Sequence, residues 1–88
     1  MIEHTLPIAL KLTGKAGLDP RVSALLAIEA SHYSCDITLS CHGQVVNAKS
    51  VAEVMSLGAQ HDSMVEVHAE GERAQEAVNA VIAVIQNH

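Results

Sequence analysis

Asp19 stands directly after Gly17 and Leu18 and directly before Pro20 and Arg21, and it is the residue of this chain best placed for chemistry. Aspartate is among the strongest N-cap residues, because its carboxylate accepts from the free N–H groups of a first helical turn. Proline suits the first helical position, where its missing donor costs nothing. A helix is therefore predicted to open at Pro20. Its unpaired amides and partial positive charge would face the Gly14–Arg21 loop, which suits an anion such as phosphate or the carboxylate of an amino acid. The plainer reading makes Asp19 a cap and Arg21 a solvated first-turn residue, and both readings stand at this point. A second polar signal lies at Ser50-Val51-Ala52-Glu53, which has the form of a capping box: serine at the cap, glutamate three residues on.

The remaining reactive side chains form no catalytic set. None of the six histidines falls at a predicted helix N-terminus. His68 and Glu66 share the outward face of one predicted strand, and Asp36 and Thr38 share that of another. Unlinked ligands on neighbouring strands are a poor zinc signal, and Cys41-His42 lacks the second ligand pair of a structural site. Cys35 and Cys41 fall on one predicted strand, about 20 Å apart at ~3.3 Å per residue, against a disulfide limit near 7 Å. They read as two reduced core thiols. No nucleophile–base pair, metal motif or phosphate-cradling glycine loop can be read. The chain is not expected to be an enzyme, and no cofactor or metal is expected.

The elements that must position these residues follow from periodicity. Leu6, Ile8, Leu10 and Leu12 alternate with polar or small residues, the pattern of a half-buried strand, and Pro7, which cannot donate, calls for an edge position or for that N–H site to turn outward. The helix from Pro20 to about Ser31 carries Val22, Leu25, Leu26, Ile28 and Ala30, more apolar circumference than one core-facing stripe needs. A strand at about Cys35–Cys41 points Cys35, Ile37, Leu39 and Cys41 inward, and His42-Gly43-Gln44 turns it into Val45-Val46. Ser50 opens a short helix through Val54, Met55 and Leu57 that Gly58 ends. A last strand alternates Met64, Glu66 and His68 with Val65, Val67 and Ala69. After Gly71, a final helix sets Ala74, Ala77, Val78, Val81, Ile82 and Ile85 on one stripe. This order suits an α+β fold, a four-stranded antiparallel sheet with three helices on one face and the other face wet.

Composition closes off other classes. At 88 residues the chain is expected to be one domain over 1–88, burying roughly 60–65 % of its unfolded surface. Tyr33 is the only aromatic residue and the formal charge is −5, so nucleic acid finds neither stacking platforms nor a basic footprint. No run approaches the ~20 apolar residues of a membrane span, and no secretory signal is evident. A cytoplasmic location is expected.

Several segments taken together resemble HPr, the histidine-containing phosphocarrier family of the bacterial sugar phosphotransferase system. They are Gly17-Leu18-x-x-Arg21, Cys35-Asp36-Ile37-Thr38-Leu39 with a Gly43 turn, Asn47-Ala48-Lys49-Ser50-Val51, Met55-Ser56-Leu57-Gly58, and Ala69-Glu70-Gly71-Glu72 before Ala77-Val78. The resemblance implies an open-faced β-sandwich. It also implies an active centre at which a histidine after Gly-Leu takes phosphate from Enzyme I, steadied by an arginine two residues on. The matching positions here are Asp19 and Arg21, so the resemblance implies a member unable to relay phosphate through histidine. A carboxylate could carry it only as a labile acyl phosphate.

Ser50 matches a serine that an HPr kinase phosphorylates in relatives. Loss of the histidine with retention of Asn-Ala-Lys-Ser is similar to the regulatory branch of the family, the catabolite-repression homologues. Glu53 weighs against phosphorylation, since a carboxylate bonded back to the cap would repel an incoming phosphate, so capping and regulation both remain open. Where relatives present lysine and glutamine to acidic partners, this chain has Leu25, Ile28 and Ser31. With Pro20, Ala24, Val51 and Met55, Leu25 and Ile28 make an apolar partner surface. The expected partners are proteins of the phosphotransferase or catabolite-control system, or a second copy in a homodimer. The alternative function is a small-ligand or anion-binding regulatory module using the Gly14–Arg21 loop.

Overall fold

The computed structural model describes residues 3–87. Its elements in chain order are β1 (Glu3–His4), β2 (Ile8–Lys11), α1 (Pro20–Ala30), β3 (Asp36–Cys41), β4 (Gln44–Asn47), α2 (Val51–Ser56), β5 (Met64–Gly71) and α3 (Ala74–Gln86). All pairings are antiparallel: β5 lies between β3 and the two short strands β1 and β2, and β4 pairs β3 on the other side. Because β1 and β2 both pair β5, the five strand segments fill four strand positions. The fold is the open-faced α+β sandwich expected from the element order.

Alternation decides which face is dry. Ile37, Leu39 and Cys41 of β3, and Val65, Val67 and Ala69 of β5, are buried, and the residues between them are exposed or half-buried. The helices supply the matching wall with Val22, Leu26 and Ala30 of α1, Val54 of α2, and Ala74, Ala77, Val78, Val81 and Ile85 of α3. Core packing without Phe or Trp leaves aliphatic side chains and two thiols to fill this space, with Tyr33 packed against its edge. Cys35 and Cys41 are buried free thiols within it.

The first strand departs from the expected alternation. Leu6 is 84 % exposed and Thr5 is buried instead. The register explains this: His4 opposes Glu70, but Ile8 opposes Val67, so one extra residue has been inserted on this side between them. Such a bulge moves the side chains on either side of it to opposite faces. Thr5 closes the gap, its backbone N–H donating to the Ala69 carbonyl at 3.0 Å while its hydroxyl accepts from the Ala69 N–H at 2.9 Å and donates to the same carbonyl at 3.2 Å. Pro7, having no donor, stands in the break. The hairpin is also tighter than expected. His42 and Gly43 alone form the turn, both with positive φ (52° and 80°), as a two-residue primed turn requires, and Gln44 already belongs to β4.

Candidate functional site

At the head of α1, Asp19 takes an extended backbone conformation and its Oδ1 accepts from the Val22 N–H at 2.8 Å. Its main-chain carbonyl accepts from Ser23 N–H at 2.8 Å, beginning the helical ladder. Ser23 is fully buried, and its hydroxyl donates to the Leu18 carbonyl at 3.2 Å, which ties the approach loop to the first turn. Arg21 is exposed, and its guanidinium makes no hydrogen bond or ion pair with any described residue.

The loop before the cap is held by a segment distant in sequence. Leu18 N–H donates to the Ala59 carbonyl at 3.1 Å, and a Cβ on Gly17 would lie 2.4 Å from that oxygen, so only glycine lets the two backbones approach this closely. His61 comes up from the same 58–63 segment, its Nδ1 lying 3.3 Å from the Gly14 carbonyl. That oxygen can only accept, so the bond requires a proton on Nδ1. Nothing in local periodicity signals this contact, which joins residues distant in sequence. No described histidine is hydrogen-bonded or paired to Asp19 or Arg21, and His88 lies outside the described residues.

At the second motif, Ser50 caps α2, its Oγ accepting from the Glu53 N–H at 3.3 Å. Glu53 does not complete the capping box. The Ser50 N–H already donates to the Asn47 carbonyl at 3.1 Å, so Glu53 Oε1 accepts instead from the Asn47 N–H at 3.2 Å. The carboxylate therefore straps the end of β4 to α2. Lys49 is drawn away from Ser50, with its Nζ donating to the Tyr33 carbonyl at 2.7 Å beyond the end of α1.

Between these two caps lies an apolar face. Leu25 and Ile28 of α1 and Val51 and Met55 of α2 are exposed, Ile28 to 59 %, while Pro20 is exposed and Ala24 half-buried. Ile28, Val51 and Lys49 line one shallow hollow of about 390 Å³. No described group of three His, Cys, Asp or Glu side chains is gathered closely enough to hold a metal ion. No described helix is long and apolar enough to cross a membrane. The titrations that clearly move lie elsewhere: Arg73 bonds Glu76 at 2.8 Å, which raises the guanidinium and lowers the Glu76 carboxyl. The same guanidinium sits 5.0 Å from the centre of the Tyr33 ring.

Known proteins match this arrangement over nearly the whole chain. The family model of the phosphotransferase system (PTS) HPr component phosphorylation site matches residues 8–87. Phosphocarrier protein HPr of Xylella fastidiosa is 36% identical over 87 residues, covering 99% of this chain and 93% of the relative. The HPr-like protein Crh of Bacillus subtilis is 39% identical over 72 residues, covering 82% of this chain and 85% of Crh. Its crystal structure, reported as a swapped-domain dimer, superposes with a TM-score of 0.76 at 36% identity, covering 89% and 90% of the two chains. A crystal structure of phosphocarrier protein HPr from Bacillus anthracis superposes with a TM-score of 0.86 at 35% identity, covering 91% and 95%. With a family model matching residues 8–87 and relatives 36% and 39% identical over most of its length, the chain belongs to the HPr family of the phosphotransferase system.

Proposed function

We propose that this HPr-family chain does not relay phosphate through histidine and instead docks, as a regulatory protein, to proteins of the phosphotransferase or catabolite-control system, with Ser50 as its phosphorylation point. One observation carries the reading. Asp19, at the position where the family resemblance puts the phospho-accepting imidazole, has its Oδ1 engaged by the Val22 N–H at 2.8 Å. An acyl phosphate formed there would be labile and would remove the acceptor that starts α1. The described imidazole closest to this loop by its bonding, His61, is held at the Gly14 carbonyl rather than at Arg21.

Docking is supported by the exposed Leu25, Ile28, Val51 and Met55, flanked by Pro20 and Ala24. Apolar side chains here would replace charge steering by desolvation as the source of affinity, with a second copy or a family partner as occupant. Phosphorylation of Ser50 is supported by its hydroxyl, which is bonded only as a cap acceptor, and by the Glu53 carboxylate, which turns to Asn47 and not back to the Ser50 N–H. The chain is read as a carrier-family protein without catalysis of its own.

The test uses ATP and HPr kinase, followed by mass analysis of the intact chain, together with sedimentation and partner capture for Leu25→Lys/Ile28→Lys. One phosphate, absent from Ser50→Ala, and a change in assembly or capture by the lysine variant are expected. An unmodified chain with unchanged assembly and capture overturns the reading. A second reading, anion capture by the Gly14–Arg21 loop, is favoured by the unpartnered Arg21 guanidinium. It calls for a thermal shift with a sugar phosphate, where ~2.7 kcal/mol is due at 100-fold the dissociation constant.

A further inference from the structure

The wet face of the sheet is not uniformly polar. Register places Val45, Ser40, Glu66 and Ala9 in one row across β4, β3, β5 and β2. Ser40 inside the row and Ala9 at its β2 end are small, so the floor is low between the larger Val45, 65 % exposed, and Met64, 51 % exposed. The result is an open hollow of about 550 Å³, lined also by His42, Asp62 and Ser63. Exposed apolar residues scattered singly are ordinary; two large ones bordering a hollow are not.

Charge selects what could fill it. The Glu66 carboxylate is exposed and makes no hydrogen bond or ion pair with any described residue, and the Asp62 carboxylate pairs only with the adjacent His61, at 3.5 Å. Asp36 and Glu70 lie outward further along the same face, the latter 3.8 Å from His4, and Lys11 stands opposite Met64. On a chain of net charge −5, phosphates and nucleic acids are repelled from such a hollow. Lysine and arginine fit it, because their methylene stems can lie along Val45 and Met64 while the head reaches Glu66 or Asp62.

We propose that this end of the open sheet face is a second docking surface, and that its occupant is a basic segment of a partner protein with aliphatic residues beside its lysine or arginine. It lies on the side of the sheet away from Ser50 and α1, so it stands or falls independently of the regulatory reading.

The experiment titrates the isotope-labelled full chain with the capped peptide Leu-Lys-Leu-Lys-Leu and follows amide shifts. Saturable shifts at Ser40, Val45, Met64 and Glu66 are expected, with none for the peptide carrying glutamate in place of lysine. Glu66→Lys, a change at an exposed position, should weaken binding roughly fivefold, the scale of one exposed ion pair lost and reversed. Val45→Ser should weaken it without altering its dependence on salt. The proposal is overturned by an absence of saturable shifts, by an equal response to the glutamate peptide, or by shifts confined to α1 and α2.

Discussion

Replacing Asp19 by alanine removes the acceptor of one hydrogen bond and a negative charge from the head of α1. The bond to Val22 N–H is 2.8 Å long, at the short end of the N–H···O range, and its residue is half-buried, so water can replace it only in part. Loss of such a cap costs about 1 kcal/mol, within a range of ~0.5–2. For a domain of this size that corresponds to a fall of about 4–8 °C in the unfolding midpoint. Asp19→Asn separates the two contributions. Its side-chain oxygen still accepts from Val22, and only the attraction between the carboxylate and the helix dipole is lost, about 0.3–1 kcal/mol at low ionic strength. Thermal unfolding followed by circular dichroism should therefore rank wild type above Asn and Asn above Ala, with the wild type–Asn gap narrowing as salt is added. An alanine variant as stable as wild type, or an asparagine variant no better than alanine, would refute the assignment of the carboxylate to capping.

Three other outcomes follow from the same structure. Gly17→Ala should destabilise by more than the ~1–2 kcal/mol of a left-handed alanine, since φ is +63° and the new Cβ would also meet the Ala59 carbonyl; denaturant unfolding measures it. Thr5→Val keeps shape but strands the Ala69 N–H that the hydroxyl accepts from at 2.9 Å, costing about 1–3 kcal/mol and raising exchange at the β1 edge. Glu76, lowered by its hydrogen bond and charge contact with Arg73, adds stability above its ordinary value of 4.5 that is lost as pH falls through its folded value. Glu76→Gln should accordingly lower stability slightly above pH 6, only slightly because the pair is exposed, and converge with wild type at the acid end, which flattens the acid limb.

What could be read before folding was what local rules govern. The α3 stripe, the β3 and β5 alternations and the Asp19 and Ser50 caps depend on neighbours a few residues apart, and each was legible for that reason. Leu6 was misread because the even-numbered apolar residues continue through it, whereas the break is set by which residue of β5 lies opposite. Pro7 was its one local sign. Capping-box grammar placed Ser50 correctly and Glu53 wrongly, since the Ser50 N–H was already bonded to Asn47. The meeting of His61 with Gly14, of Lys49 with Tyr33, and of Val45 with Met64 around one hollow depends on tertiary geometry that no sequence window holds.

The proposed loss of histidine relay is tested most directly by incubating the chain with phosphoenolpyruvate and Enzyme I, beside a histidine-bearing HPr as positive control, and measuring phosphate on the intact protein. The expected result is a labelled control and an unlabelled chain. Phosphate on this chain, whether acid-labile on an imidazole or base-labile on Asp19, would contradict it.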